Sequence, residues 1–333
     1  MRILFHAEQL SERGTTTAIV EYARHLRNIG FECVIAYEKN HPVNHSRTID
    51  EVKREFEVIP YRYFWSIGRM QKSFDVGYFI KSGANNGMLF GKTPSIVHAV
   101  FQEYQPHGDL YLYVSKWLAD SMRKNLIGSR HGNSHRCRTI NCIDFEYLDH
   151  AVDMLKPCSD FRDRLGIESN EVVGIRYGGF ETFDIPFVWQ AIEELLEEDK
   201  SLKFVFANTK RFTDHPSAIF LEAIVDSQTK SEFLNTGDFF LHARSQGESF
   251  GLAILEAINV GIPVITYGGG KDLNHLNLVP NQLVYTNTSS LKRIIATREY
   301  KNYEDTFAEI RSDYMISKIG NKLETYISRV CQI

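Results

Sequence analysis

No run in the sequence approaches the roughly 18 consecutive apolar residues that a membrane-spanning helix needs. An integral helical membrane protein is therefore not expected. The opening MRILFHAEQL lacks the apolar core of a signal peptide and reads instead as a short strand. There is no basic excess either: 38 Lys and Arg stand against 42 Asp and Glu, a formal charge of −4. A dedicated nucleic-acid binder carries the opposite balance. Cysteine is scarce and odd in number, at positions 33, 137, 142, 158 and 331. That scatter fits reduced thiols in a cytoplasmic protein, not a disulfide framework. Internal repeats and low-complexity tracts are missing as well. What remains is a 333-residue chain, 43% hydrophobic and 24% charged, with enough material for two globular domains.

The chain alternates strands and helices. RILFH (2–6) reads as a buried strand, followed by a helix from Thr15 to about Ile29. Ala18, Ile19, Tyr22, Ala23 and Leu26 recur there at the helical period. FECVIAY, EVIP, DVGYFIK, PSIVHAV and DLYLYVS read as further strands, with a helix near Ile49–Phe56. Ser115 is placed to cap a helix over KWLADSMRKNL, and CRTINCI (137–143) reads as the last strand of this half. Residues 144 to about 170 are more polar and carry the boundary. A second alternation starts at EVVGIR and continues through helix 185–198, KFVFAN, AIFL, a short helix at 229–235, DFFLHA, IPVIT and QLVY. Two doubly wound α/β domains facing a cleft follow from this, at 1–150 and 151–305, with an amphipathic helix over 306–333. In such sheets, ligands bind beyond the carboxyl ends of the strands.

Leu241–Thr266, LHARSQGESFGLAILEAINVGIPVIT, compresses strand, turn, helix and strand. Glu248 falls just before the helix and Glu256 on its second turn, with seven residues between them. A helix start at a strand's carboxyl end offers free N–H groups and a positive dipole to a phosphate. Gly251 lets a ligand approach the backbone. Gly261 and Pro263 end the helix. The bland reading is a surface helix with two glutamates.

In that context the stretch resembles the E-x7-E signature of retaining glycosyltransferases of the GT-B fold, the large family-4 type. The resemblance covers the C-terminal half well and the N-terminal half more weakly. It implies that the helix over 306–333 crosses back to the first domain. It also implies that Glu256 binds ribose hydroxyls of a nucleotide-sugar, with UDP- or GDP-sugars expected. Backbone amides around Ser249, Phe250, Gly251 and Leu252 would hold the diphosphate, and Glu248 would face the transferred sugar. Arg176 matches the family's arginine toward the diphosphate. The lysine that usually follows is missing from YGGFETFDIPF. Lys210 or Arg211, after the strand KFVFAN, are the substitutes available; a solvated loop is their alternative reading. Gly14 and Thr15 correspond to a loop under the donor phosphates, or simply to a threonine-capped helix start. His98, near a strand end, would stand near the sugar, or else be a core histidine; His107 is a second candidate.

Other patterns carry less. The loop at Gly14 is not G-x-G-x-x-G, which disfavours a nicotinamide dinucleotide. No Asp-x-Asp occurs, so no metal is expected to bridge the diphosphate; the helix start and cations would take its place. His131, His135, Cys137 and Cys142 match no common zinc spacing. Arg123, Lys124, Arg130, Arg136 and Arg138 read as a solvated rim, with peripheral contact to anionic lipid as the alternative. YRYFWSIGRM (61–70) reads as core packing or an acceptor-binding rim. The expected partners are a nucleotide-sugar and a carbohydrate or glycoconjugate acceptor, with no cofactor required. The competing readings are a non-catalytic nucleotide-sugar binder, and an inverting transferase or epimerase of the same fold. Oligomeric state and acceptor identity leave no motif.

Overall fold

The computed structural model describes residues 1–128, 145–152, 156–224 and 226–332. The strand expected at 137–143 lies outside them, as do Arg130, His131, His135, Arg136, Cys137, Arg138 and Cys142. The chain forms two compact units: Met1–Ala151 with Tyr314–Ile333, and Val152–Asp313.

The first unit is built on β1 (Arg2–Ala7), α1 (Gly14–Asn28), β2 (Glu32–Glu38), α2 (Ser46–Glu55), β3 (Glu57–Tyr61), α3 (Phe64–Met70), β4 (Val76–Lys81), β5 (Ser95–Ala99), β6 (Leu110–Tyr113), α4 (Lys116–Gly128) and β7 (Glu146–Tyr147). All its strand pairs are parallel, in the order β3-β2-β1-β4-β5-β6-β7. Strands covered on both faces read as apolar runs, and β1, β4 and β5 are buried almost throughout. Ser115 does cap α4, its Oγ accepting the Leu118 N–H at 3.1 Å. α2 begins three residues earlier than the periodicity indicates, and α3 was not foreseen. In α3, Ile67 enters the core beside Leu4, Val34 and Phe79.

The second unit holds α5 (Arg162–Leu165), β8 (Val172–Tyr177), α6 (Pro186–Glu198), β9 (Leu202–Ala207), β10 (Ala218–Leu221), α7 (Ser227–Asn235), β11 (Phe239–His242), β12 (Gly247–Glu248), α8 (Leu252–Val260), β13 (Val264–Tyr267), β14 (Asp272–Leu273), β15 (Val284–Tyr285), α9 (Thr288–Ala296) and α10 (Glu304–Asp313). Its six-stranded parallel sheet runs β10-β9-β8-β11-β13-β15, while β12 and β14 pair separately. Phenylalanines fill its centre. Gly174 in β8 makes room for them, since a Cβ there would lie 2.5 Å from Phe204 and 2.6 Å from Phe239.

The segment expected as one terminal helix is two. α10 stays with the second unit, and α11 (Ile316–Cys331) packs on α1, β4 and β5 of the first. Tyr314 and Met315 separate them, and the apolar stripe of Ile319, Leu323, Tyr326, Ile327 and Val330 belongs to α11. Both sheets reverse direction of winding once, between β1 and β4 and between β8 and β11. In open α/β sheets, ligands bind at such reversals, outside the strands' carboxyl ends.

Candidate functional site

At the β8/β11 reversal, Arg176 is the last residue but one of one strand and His242 ends the other. Arg176 is buried, 4% exposed. Its guanidinium donates to Asn208 O at 2.9 Å, Thr209 Oγ1 at 2.7 Å, Gly179 O at 2.8 Å and Thr182 Oγ1 at 2.7 Å. Four of its five N–H groups thus tie together the two loops that follow β8 and β9. Burial lowers its pKa to about 10, against the opposing charge of Glu248. Arg176 stands where the sequence put it, but turned onto its own loops.

Glu248 is held by three residues. Its Oε1 meets His242 Nε2 at 3.3 Å, and its Oε2 accepts from Arg244 Nη1 at 2.9 Å. Its backbone N–H donates to His275 Nδ1 at 3.3 Å, and His275 Nε2 meets Tyr267 O at 2.9 Å. The two contacts fix a neutral His275 protonated on Nε2. Burial, then the charge of His242, lowers its pKa to about 4. His242 Nδ1 in turn meets Thr266 Oγ1 at 2.8 Å. Burial alone would raise the Glu248 carboxyl; the hydrogen bond and charge of His242, with Arg244, hold it below its ordinary value instead.

The loop from Ser245 to Gly251 is clamped as a whole. Asp184 accepts from Ser245 N at 2.7 Å, Gln246 Nε2 donates to Asp272 Oδ2 at 2.9 Å, and Asn274 Nδ2 donates to Phe250 O at 2.6 Å. Gly247 is required here. Its φ is +74°, and a Cβ would lie 2.0 Å from the Asp272 carbonyl oxygen. Gly247→Ala should therefore cost at least about 2 kcal/mol, a left-handed alanine plus a displaced β12–β14 pair. The melting transition of the second unit should fall by about 4 °C or more; an unchanged melting curve would refute the clamp.

Helix α8 starts after Gly251, whose φ of 101° is left-handed, and no side chain caps it. The N–H groups of Leu252, Ala253 and Ile254 thus face outward from the helix start without a capping acceptor among the described residues. Glu256, one turn on, is 3% exposed and accepts from Lys230 Nζ at 2.9 Å. Lys230 is 9% exposed and stands 5.3 Å above the Tyr177 ring at the end of β8. So a second buried cation at this strand end, besides Arg176, comes from α7. Lys210 is exposed, and Arg211 is exposed too, pairing with Asp214 at 3.5 Å and lying 4.6 Å over Phe220. Sequence reasoning missed Lys230. Its one local signal is a lysine sharing the buried stripe of Phe233 and Leu234.

At the β1/β4 reversal of the first unit, a second polar cluster gathers. Lys81 ends β4 at 4% exposure. Its Nζ meets Asn86 Oδ1, and His107 Nε2 at 3.3 Å. His107 Nδ1 meets Gln105 O at 2.6 Å, leaving Nε2 to accept from the lysine. Asn86 Nδ2 donates to Glu8 Oε1 at 3.3 Å. Burial brings the Lys81 pKa down to about 8, opposed by Glu8. Lys81 escaped the sequence reading because it closes an apolar strand.

Two expectations in this unit change. His98 is 0% exposed, with Nδ1 on Tyr78 OH at 2.9 Å and the His150 ring 5.4 Å away. Residues 148–150 cover the strand end, so His98 takes the core position that was its alternative reading. Burial lowers its pKa to about 3. Helix α1 does begin at Gly14, but its N-cap is Arg13 without a side-chain bond. Thr16, not Thr15, engages the preceding turn, accepting the Ser11 N–H at 3.1 Å. The Thr15 hydroxyl is buried with no hydrogen-bond partner among the described residues. A groove of about 430 Å³ lined by Arg27, Cys33, Glu55 and Glu57 lies at the amino ends of β2 and β3, the side of the sheet away from these clusters.

No protein-family model matches the chain, and no curated protein matches its sequence. Solved structures match it in three dimensions. The HepE protein of Anabaena, in complex with UDP and glucose, aligns with a TM-score of 0.74 at 13% identity, over 99% of this chain and 100% of its own. A sucrose-phosphate synthase from Thermosynechococcus elongatus gives 0.70 at 12%, over 99% of both chains. A Listeria monocytogenes structure assigned as a UDP-N-acetylglucosamine 2-epimerase gives 0.58 at 11%, over 97% of this chain and 94% of its own. At these identities the likeness carries the architecture and no more. Two all-parallel, doubly wound α/β units in that order along the chain are the GT-B fold.

Proposed function

We propose that the chain is a glycosyltransferase that moves a sugar from a nucleotide-diphosphate sugar to an acceptor hydroxyl with retention of configuration. The observation that carries this reading is the clamped Glu248 beside the uncapped start of α8. The amides of Leu252–Ile254 would take the diphosphate. Glu256 would take the ribose hydroxyls, and Glu248 the hydroxyls of the transferred sugar. Arg176 would keep the surrounding loops in place, while Lys230 orients Glu256 and adds positive charge. The second unit is thus the donor domain and the first the acceptor domain, with Lys81, Asn86 and His107 as polar groups for the acceptor.

In the reaction the acceptor oxygen bonds to the anomeric carbon on the face from which the diphosphate leaves. The carbon–oxygen bond to phosphate breaks, and the acceptor proton passes to a leaving phosphate oxygen. Positioning and stabilisation of the departing charge supply most of the rate. No step of this scheme needs a metal. HepE was crystallised with UDP and glucose and with UDP-glucose, which makes UDP-sugars the first donors to test.

A screen of UDP-, GDP-, ADP- and dTDP-sugars by thermal shift should single out one nucleotide. At a hundredfold excess over Kd it stabilises the folded state by about 2.7 kcal/mol. For a unit of this size that is a rise of roughly 5–10 °C. No shift with any sugar nucleotide would overturn the proposal. NMR of the product anomer must show retention; inversion would overturn the retaining mechanism. The epimerase neighbour supports a second reading, and release of an epimerised sugar without acceptor would select it.

A further inference from the structure

The first unit displays an exposed aromatic pair set among cations. Tyr63 is 53% and Trp65 58% exposed, and their rings lie 6.3 Å apart, within 9° of parallel. Arg62 stands 5.2 Å over Tyr63, and Arg69 4.5 Å over Trp65. Met70, 40% exposed, follows. Lys72 and Lys92 border a groove of about 530 Å³ whose apolar lining includes Trp65 and Leu89.

This face is not surplus core. The opposite side of α3 is anchored by buried Ile67 and by Phe64, which packs against the same cluster. The helix therefore has a fixed orientation, and its aromatics point outward. Segments 61–72 and 87–93 contain Arg62, Arg69, Lys72 and Lys92 and no acidic residue. They carry +4 on a chain of −4, so the rest of the molecule carries −8. A positive, aromatic face on an otherwise negative protein needs a negative, partly apolar counterpart.

We propose that this face docks the protein on an anionic lipid bilayer. Tyrosine and tryptophan settle at the level of lipid headgroups, and arginine and lysine pair with acidic lipids around them. Arginine and aromatic residues also recur at protein interfaces, but four cations, two of them lysines, with no acidic residue among them match the repeated negative charge of an acidic bilayer best. Each basic residue near an anionic surface strengthens partitioning about fivefold. Salt weakens that term.

The test is flotation of the full chain with phosphatidylcholine vesicles with and without about one-third phosphatidylglycerol. The protein should float with the anionic vesicles at low salt, stay behind with neutral ones, and be released by salt. Trp65 emission should shift to the blue, and the shift should vanish in Trp65→Phe. Arg62→Glu/Arg69→Glu/Lys72→Glu should weaken partitioning by more than about a hundredfold. If that triple variant misfolds by circular dichroism, Arg69→Gln/Lys72→Gln should still weaken it by at least about tenfold. Equal binding to neutral vesicles, no binding at all, or undiminished binding by a folded charge variant would overturn the proposal. So would tighter retention on dextran sulfate than on vesicles with Trp65 emission unmoved, which would assign the face to an acidic polymer.

Discussion

Replacing Lys230 by methionine lowers the stability of the second unit by about 3–5 kcal/mol, and its melting transition by roughly 10 °C. The Lys230 ammonium lies 2.9 Å from Glu256 Oε1, and both side chains are almost out of water. Removing the cation strands a carboxylate inside α8. That penalty exceeds what the intact pair is worth, because taking both charges from water was itself costly. The informative partner is therefore the double variant Lys230→Met/Glu256→Leu. With no charge left to desolvate, it should recover most of the lost stability, a coupling visible in a double-mutant cycle. It should not recover the thermal shift given by the sugar nucleotide, because the carboxylate proposed for the ribose is gone. A double variant as unstable as the sum of the singles would refute the pairing argument. One that still binds the sugar nucleotide would remove Glu256 from the ribose site while leaving the pair as structure.

The same residues show what was legible before the fold. Glu248, Gly251, Glu256 and Gly261 lie within one strand–loop–helix unit, so local spacing was enough to read the loop and its helix. The apolar strands announced a parallel sheet for a similarly local reason. What escaped was set by distant packing. Lys230 reaches Glu256 across 26 residues, and His275 reaches the Glu248 amide across 27. Neither separation leaves a trace in periodicity. Lys210 and Arg211 were natural substitutes for a missing lysine because they follow a strand end. Yet that strand's neighbour is the sheet edge, and Arg211 lies over Phe220 on it. His98 stands near a strand end as expected, but no pattern says that residues 148–150 will cover it. Lys81 hid for the reverse reason: it ends an apolar strand that the eye reads as core. Strand ends could be located from sequence, but which of them stay open could not.

Glu248→Gln should lower turnover by about a hundred- to a thousandfold, the loss typical of removing one oriented group that stabilises transition-state charge. The glutamine keeps the side chain's length and can still accept from Arg244, so the donor's KM should change much less than kcat. The electrostatics sharpen this. His242 and Arg244 outweigh burial and hold the carboxyl below its ordinary value, so its folded pKa is depressed. A depressed carboxyl contributes stability above its unfolded pKa and loses it as pH falls through the folded value. Glu248 therefore stays ionised through mildly acidic conditions, and the acid limb of kcat should begin below the ordinary glutamate range. His275→Ala separates orientation from charge. It removes the acceptor of the Glu248 amide and one support of the loop, yet leaves the carboxylate in place. Its kcat should fall by only about tenfold, with the acid limb little moved. Wild-type turnover in Glu248→Gln would make the carboxylate a strut of the 245–251 loop rather than a group facing sugar. A loss in KM alone would make it a binding group with no share in the transition state.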